Sequence, residues 1–259
     1  FDKSQGNFLV KNHITNHYTG VSFDSSSNNS IIGNNVTENS HWGIIFFESS
    51  KNSVCENSLT KNKDDDGISL YAYSNYNNIS RNYIAANYLN GISLLTSANN
   101  SIVDNNITEN IQNGIGLYSS SNNNITANNI TANNNCGIWI QDSSNNTIFH
   151  NNFVGNVIQV YTFNSVNIWD YGYPLGGNYW SDYNGTDLYS GPFQNETGSD
   201  KIGDKPYVID ADNRDHYPII PEFQQNVIIQ FFMIATLSAI IAYKRKAISA
   251  KRKMMMKRK

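Results

Sequence analysis

Apolar and polar positions along the first 165 residues recur with one period. Gly20, Gly43, Gly67, Gly91, Gly114 and Gly137 are spaced 23 or 24 residues apart. Each is followed at +1 by Val21, Ile44, Ile68, Ile92, Ile115 and Ile138, and at +3 by Phe23, Phe46, Leu70, Leu94, Leu117 and Ile140. Alternation with period two predicts a strand with these side chains on one face. A second apolar column falls at about +11 (Ile31, Val54, Ile79, Ile102, Ile125, Ile148) and a third at about +16 (Val36, Leu59, Ile84, Ile107, Ile130, Phe153). Ser, Asn and Gly turns separate these short segments and leave no room for a helix. Strands too short to bury their inner face alone must stack on the next copy, which predicts a solenoid.

Two asparagine columns run between the apolar ones: Asn34, Asn57, Asn82, Asn105, Asn128 and Asn151, and five residues later Asn39, Asn62, Asn87, Asn110, Asn133 and Asn156. An amide both donates and accepts, so like amides one rung apart can bond up and down a column. The columns are therefore expected to form ladders. Asn also tolerates the left-handed backbone that a corner between strands requires, which makes these positions the expected corners. Asn7, Leu9 and Asn12 fit the second half of an earlier coil, and Val160, Tyr161 and Phe163 fit the Gly, +1 and +3 places of a last one. That gives seven to eight coils, about 35 Å of stack at a rise of ~4.8 Å.

Composition sharpens this picture. Asn accounts for 43 of the 259 residues, yet 39% of the chain is apolar, so a core can be buried and disorder is not indicated. The net charge of -3 conceals an asymmetry: 9 of the 18 Lys and Arg lie at 244–259, so residues 1–225 carry 9 basic against 21 acidic side chains. A nucleic-acid partner is not expected for so acidic a surface, whereas cations or polyols outside the cytoplasm suit it. Cys55 and Cys136 fall three coils apart, roughly 14 Å at strand spacing, so both are expected to be lone thiols. The chain opens at Phe1 without Met or leader, so a mature or truncated form is expected.

The Gly-Ile-x-Leu strand, the Ser-Asn-Asn turn and the Asn-x-Ile-x-x-Asn frame resemble the NosD-like and pectin-lyase-like repeats found in secreted and archaeal surface proteins. The likeness continues through Gly177-Asn178-Tyr179-Trp180-Ser181-Asp182-Tyr183, Ile202-Gly203-Asp204-Lys205-Pro206-Tyr207 and Asp215-His216-Tyr217-Pro218, and covers residues 7–221. It implies an all-β, right-handed parallel β-helix over residues 1–166 and a closing segment over 167–225, where Trp169, Tyr179, Trp180 and Tyr183 supply apolar area to cover the last coil. An open strand edge left bare invites aggregation.

Residues 226–243 contain VIIQFFMIATLSAII without a charge and span about 27 Å as a helix, just enough for a bilayer core of about 30 Å. Lys244, Arg245 and Lys246 follow at once, so a single transmembrane helix is expected, with a basic cytoplasmic tail at 244–259 and the β-helix outside the cytoplasm. The tail can also meet anionic headgroups. A helix packed on the closing segment is the alternative. Ten Asn-x-Ser/Thr sequons, among them Asn78, Asn106, Asn184 and Asn195, would permit glycosylation, although several coincide with turn positions.

Chemistry is harder to place. A glycosidase needs two carboxyl groups about 5 to 9.5 Å apart across a sugar. The outward +4 column reads Asp24, Phe47, Tyr71, Leu95, Tyr118 and Gln141, and no acid pair meets in it. Glu56, Asp104 and Glu109 share columns with Arg81, Ala127 and Lys61, as on a solvated face. Asp64, Asp65 and Asp66 are read as a solvated turn. Phe47, Tyr71 and Tyr118, with Trp139 two places earlier in its own coil, can stack on the sugars of a cell-envelope glycan; aromatics also favour strands for packing alone. Asp187, Asp200 and Asp204 around Gly203 offer hard oxygen ligands for calcium, against the ordinary reading of acidic loop residues facing water. The resemblance also implies a link to periplasmic copper handling, but His13, His17, His41, His150 and His216 are scattered apart from the first two, and Met is absent before residue 233. The expectation is a membrane-anchored, extracytoplasmic surface module, structural or carbohydrate-binding and without catalysis. The alternatives are a fragment of a polysaccharide hydrolase or lyase, or a NosD-like accessory in copper-site maturation.

Overall fold

The computed structural model describes residues 1–220, and Phe1–Ile219 form one compact unit. The expected membrane helix at 226–243 and the basic tail at 244–259 lie outside the described residues. Among the described residues no helix is long and apolar enough to cross a membrane.

The chain winds into an all-β parallel β-helix of the right-handed type with about eight coils. Three sheets run its length, of 7, 8 and 7 strands. The Gly-led sheet holds Val21–Asp24, Ile44–Phe47, Ile68–Tyr71, Ile92–Leu95, Ile115–Tyr118, Cys136–Gln141 and Ile158–Phe163. The second sheet runs from Phe8–Val10 to Thr147–Phe149; the third runs from His13–Thr15 to Asn152–Val154 and adds Tyr179–Trp180. Pairing is in register, with Ile79 beside Ile102 and Ile84 beside Ile107. All three apolar columns are buried in one continuous core, so each rung removes the inner face of its neighbour from water.

The ladders form with one polarity. Asn105 Nδ2 donates to Asn128 Oδ1 at 3.0 Å and its backbone N–H donates to the same oxygen at 2.9 Å. The amide also reaches the carbonyls of Ile79 and Val103. Asn34, Asn57, Asn82 and Asn128 repeat the arrangement toward Asn151 and Asn178. The second column does the same toward Asn156, which donates to Gln159. Four polar groups on each buried rung are thereby satisfied.

The corners differ from expectation in one respect. The ladder asparagines do not take the left-handed backbone; the residue before each does, for example Glu56, Arg81, Asp104 and Ala127 at φ of 53 to 59°. That residue points outward and bears the strain, about 1 kcal/mol or more for a side chain with a Cβ. The asparagine is left free to turn its amide inward. The repeating glycines have a different cause, close approach: a Cβ on Gly91 would lie 2.6 Å from Ile107 and 2.8 Å from the Asn110 amide.

The last coil is one residue short. Val160 pairs with Ile138 and Tyr161 with Trp139, so Val160 holds the +1 place rather than the Gly place, and Phe163 falls at +4 beside Gln141. Gln159 takes the Gly position, buried, and ends the second ladder.

Beyond the coils the chain lies against the last rung. Trp180 stacks between Phe153 (4.4 Å) and Tyr207 (4.2 Å), and Trp169 and Trp180 are both buried. Tyr183 is half-buried against the same core. Two ladders end here on carboxylate-held groups. Asn178 N–H donates to Asp215 at 2.7 Å, as does the Trp180 indole at 2.9 Å, and Asn167 donates to Asn213, which Asp210 holds.

Candidate functional site

The inside of the coil is repetitive, so any ligand chemistry must sit where rungs differ. The outer flank of the Gly-led sheet is such a place. Its +4 column is Asp24, Phe47, Tyr71, Leu95, Tyr118, Gln141 and Phe163, neighbours in register. Phe47 and Tyr71, 38% and 41% exposed, stack at 5.4 Å. Trp139 belongs to the adjacent +2 column, where Tyr161 stacks on it at 4.3 Å. The four aromatic residues expected to line a groove are thus divided between two neighbouring columns of one sheet. Tyr161 extends the second pair; its period was masked by the one-residue shortening of the last coil.

Tyr118 behaves differently from the others. Gly116 stands opposite Ser93 and Trp139 in the +2 column, and the Tyr118 ring folds back over it, close enough that a Cβ on Gly116 would lie 2.7 Å from the ring and 3.0 Å from its hydroxyl. The hydroxyl lies close to the Asn113 and Asn90 side chains, which favour its ionised form. Burial raises the phenol pKa, and nearby Asp66 raises it further.

Beneath lies a third kind of column, the residues just before each glycine. Asn135 and the Cys136 N–H donate to Asn113, Asn113 donates to Asn90, and Asn90 donates through both side chain and backbone to Asp66 at 2.8 and 2.9 Å. These donors run opposite to the inner ladders and end on a carboxylate. Asp66 is therefore not part of a solvated turn: it is 5% exposed, while Asp64 is exposed and Asp65 bonds His41 at 3.0 Å. Burial pushes the Asp66 carboxyl up to about 6, opposed by the Asn90 donors and the Ser93 hydroxyl. Cys136, at the other end of the row, is pushed up to about 11 by burial. The sequence signal for this site was position rather than type: Asp66 occupies the same place before its glycine as Asn90 and Asn113.

Elsewhere the residues singled out have structural partners. Asp187 accepts from Ser199 Oγ and the N–H groups of Asp200 and Lys201; Asp200 accepts from Gly191, Gln194 and Ile202. Asp204 accepts from Thr186, Leu188 and Tyr189; burial works against its charge, but these donors hold its carboxyl below the ordinary value. The three carboxylates pin one loop to itself. Among the described residues no group of three or more His, Cys, Asp or Glu is placed to hold a metal ion. His41 bonds Asp65, His150 the Leu175 carbonyl and His216 Asp170. Cys55 and Cys136 are buried and unbridged. Glu56 and Arg81 pair at 3.2 Å in the open, as on a solvated face. A cavity of about 390 Å³ bordered by Lys61, Lys63, Tyr88 and Ile111 opens at the corner after the third sheet.

Residues 2–185 match the family described as periplasmic copper-binding protein (NosD). No curated protein matches the chain. Among solved structures, the periplasmic alginate epimerase AlgG is similar at 25% identity and a TM-score of 0.59, covering 62% of this chain and 38% of its own. The Dettilon tailspike protein (gp208) shares the fold at 17% identity and a TM-score of 0.53, covering 69% of this chain and 39% of its own. The chain thus spans less than half the length of either structure.

Proposed function

Because the chain belongs to the NosD family, with a match over residues 2–185, we propose that it is an extracytoplasmic glycan-binding module whose ligand face is the outer flank of the Gly-led sheet. One observation carries this reading: the stacked pairs Phe47–Tyr71 and Trp139–Tyr161 stand on the outside of a rigid sheet whose inner face is wholly occupied by core and ladders. Aromatic rings offer apolar faces to sugar C–H groups, and the Tyr hydroxyls add polar contacts at their edges. The acidic surface of residues 1–225, 9 basic against 21 acidic side chains, favours a neutral glycan over a polyuronate. The test is a neutral and acidic oligosaccharide panel with wild type, Phe47→Ala/Tyr71→Ala and Trp139→Ala. Binding of a neutral oligosaccharide that falls at least tenfold in the variants supports the groove; binding unchanged in both variants removes it.

A second reading, a polysaccharide-active enzyme fragment, draws on the buried Asp66 with its raised pKa on that flank and on the similarity to an epimerase. The residues before the other glycines, Thr19, Trp42, Asn90, Asn113 and Cys136, include no second carboxyl, so Asp66 has no partner in its own column for a carboxylate pair of the glycosidase kind. Depolymerisation or epimerisation of a polysaccharide followed by NMR would establish this reading over the first.

Copper binding is what the family description names. The donor set among the described residues does not fit it: no three or more His, Cys, Asp or Glu come together, only His13 and His17 are neighbours in sequence, the imidazoles of His41, His150 and His216 are engaged, the two thiols are buried and separate, and Met first occurs at residue 233. Calorimetry with copper and with calcium should give no heat of binding.

Residues 167–219 serve as the cap of the last coil, supported by the Phe153–Trp180–Tyr207 stack. Residues 226–243 anchor the protein in a membrane, with 244–259 in the cytoplasm. Deleting 226–259 should move the protein from the membrane to the soluble fraction.

A further inference from the structure

The ligand face contains one arrangement that a flat aromatic groove does not require. Tyr118 shares the +4 column with exposed Phe47 and Tyr71, yet its ring lies over Gly116 and its hydroxyl reaches the Asn113 and Asn90 amides. Gly116 is the place in its column where a side chain is lacking, between Ser93 and Trp139. The ring occupies the space that a side chain there would fill.

We infer that Tyr118 covers a saccharide subsite whose floor is Asp66, Asn90, Asn113 and Ser93 and whose wall is Trp139, with the phenol hydroxyl standing where a sugar hydroxyl binds. This rests on the glycan-binding reading of the same face and deepens it. Three observations point to a ligand. The floor is a row of carboxylate, amides and hydroxyl, groups that both accept from and donate to vicinal hydroxyls. Asp66 and Asn90 are 5% exposed and Asn113 is 2% exposed, and the Tyr118 side chain lies close to them. The buried indole N–H of Trp139, in the strand next to Gly116, has no hydrogen-bond partner, and an orphaned buried donor calls for an acceptor. A neutral sugar supplies that acceptor, and its hydroxyls replace the phenol. A uronate would place a second carboxylate against Asp66.

The structure also supplies the lever. Gly116 has ordinary backbone angles, and the atoms that a Cβ would meet belong to the Tyr118 side chain, so Gly116→Ala should displace the ring without straining the strand. A ligand that binds only the uncovered form loses affinity in proportion to the covered fraction, so a cover closed about nine-tenths of the time masks about tenfold. If Tyr118 is a cover, Gly116→Ala and Tyr118→Ser should each bind a neutral hexasaccharide (cellohexaose, xylohexaose or mannohexaose) about tenfold more tightly than wild type. If Tyr118 is a platform like Phe47, Tyr118→Ser should weaken binding. Adding Asp66→Asn to Gly116→Ala should abolish the gain, and nitration of Tyr118 by tetranitromethane, read by mass spectrometry, should rise in Gly116→Ala. No gain in either opening variant overturns the subsite, as does a gain that survives Asp66→Asn. Wild-type binding that depends on Phe47 and Tyr71, with no gain on opening, removes the subsite and leaves the groove. Binding by no variant at all removes both.

Discussion

The inner ladders and the outer flank of the Gly-led sheet are built on the same coil and obey opposite rules. Along the ladder from Asn34 to Asn178 every rung carries the same residue, every amide donates toward the C-terminal end, and every side chain is buried. Along the row before the glycines, Trp42, Asp66, Asn90, Asn113 and Cys136 change type at every rung but one, and the donors run the other way to a carboxylate. Uniformity serves stacking, because a like residue above and below is the simplest means of satisfying a buried amide. Variety serves no stacking purpose, and it is consistent with the ligand face proposed for this flank.

The largest effect expected is inside. Asn105→Ala leaves the Asn82 amide and N–H without their acceptor and removes the donors to the Ile79 and Val103 carbonyls. It should cost about 4 kcal/mol in urea unfolding, whereas Asn106→Ala, exposed one residue later, should stay within about 0.5 kcal/mol. Equal losses would erase the distinction between the regions.

Glycine gives the next contrast with one substitution. Gly91→Ala drives a Cβ into Ile107, the Asn110 amide and the Gly114 carbonyl and should cost about 3 kcal/mol. Gly116→Ala, in the next strand, meets the Tyr118 side chain and should cost less than about 1 kcal/mol. Thermal denaturation of the pair compares them directly.

The buried carboxyls set the pH dependence. Burial pushes Asp215 up to about 7 despite donors from Asn178, Trp180 and Tyr217, and Asp66 shifts the same way to about 6. Each raised pKa means that the folded state binds a proton which the unfolded chain has already released. This contribution is therefore present at acid pH and is lost as pH climbs from about 4 to about 7, on the order of 4 kcal/mol for Asp215. Stability followed across this range should fall, and Asp215→Asn should flatten the slope; a slope unchanged in that variant would contradict the assignment. The smallest effect belongs to the groove. Phe47→Ala/Tyr71→Ala removes exposed rings and should shift stability by about 1 kcal/mol or less, so any loss of glycan binding in it reports contact rather than unfolding.

The sequence alone sufficed for the period, the three apolar columns and two of the ladders, because each repeats one residue type at one spacing. Two further ladders carried a weaker signal. Ser26, Ser49, Ser74, Ser97, Ser120 and Ser143 each precede Asn29, Asn52, Asn77, Asn100, Asn123 and Asn146 by three residues, and both columns bond rung to rung. They were read as turns because Ser and Asn dominate turns whether or not they stack. The left-handed corners were placed one residue late, since the positions with positive φ hold Glu, Arg, Asp and Ala, whose types say little about backbone. Asp66 is the hardest position to read: two acids before it suggest solvent-facing charge, whereas its place before Gly67 puts it in the buried row with Asn90 and Asn113. A cover formed by a side chain folding back along its own strand has no signature in spacing.

The claim that the outer flank of the Gly-led sheet is the ligand face can be tested by amide hydrogen exchange, with and without the oligosaccharide that binds best in the panel. The account predicts that slowed exchange is confined to the Gly-led sheet from Ile44–Phe47 to Ile158–Phe163, Ile92–Leu95 included, and to the residues just before each glycine. Protection on the second or third sheet instead would place the ligand elsewhere and contradict it.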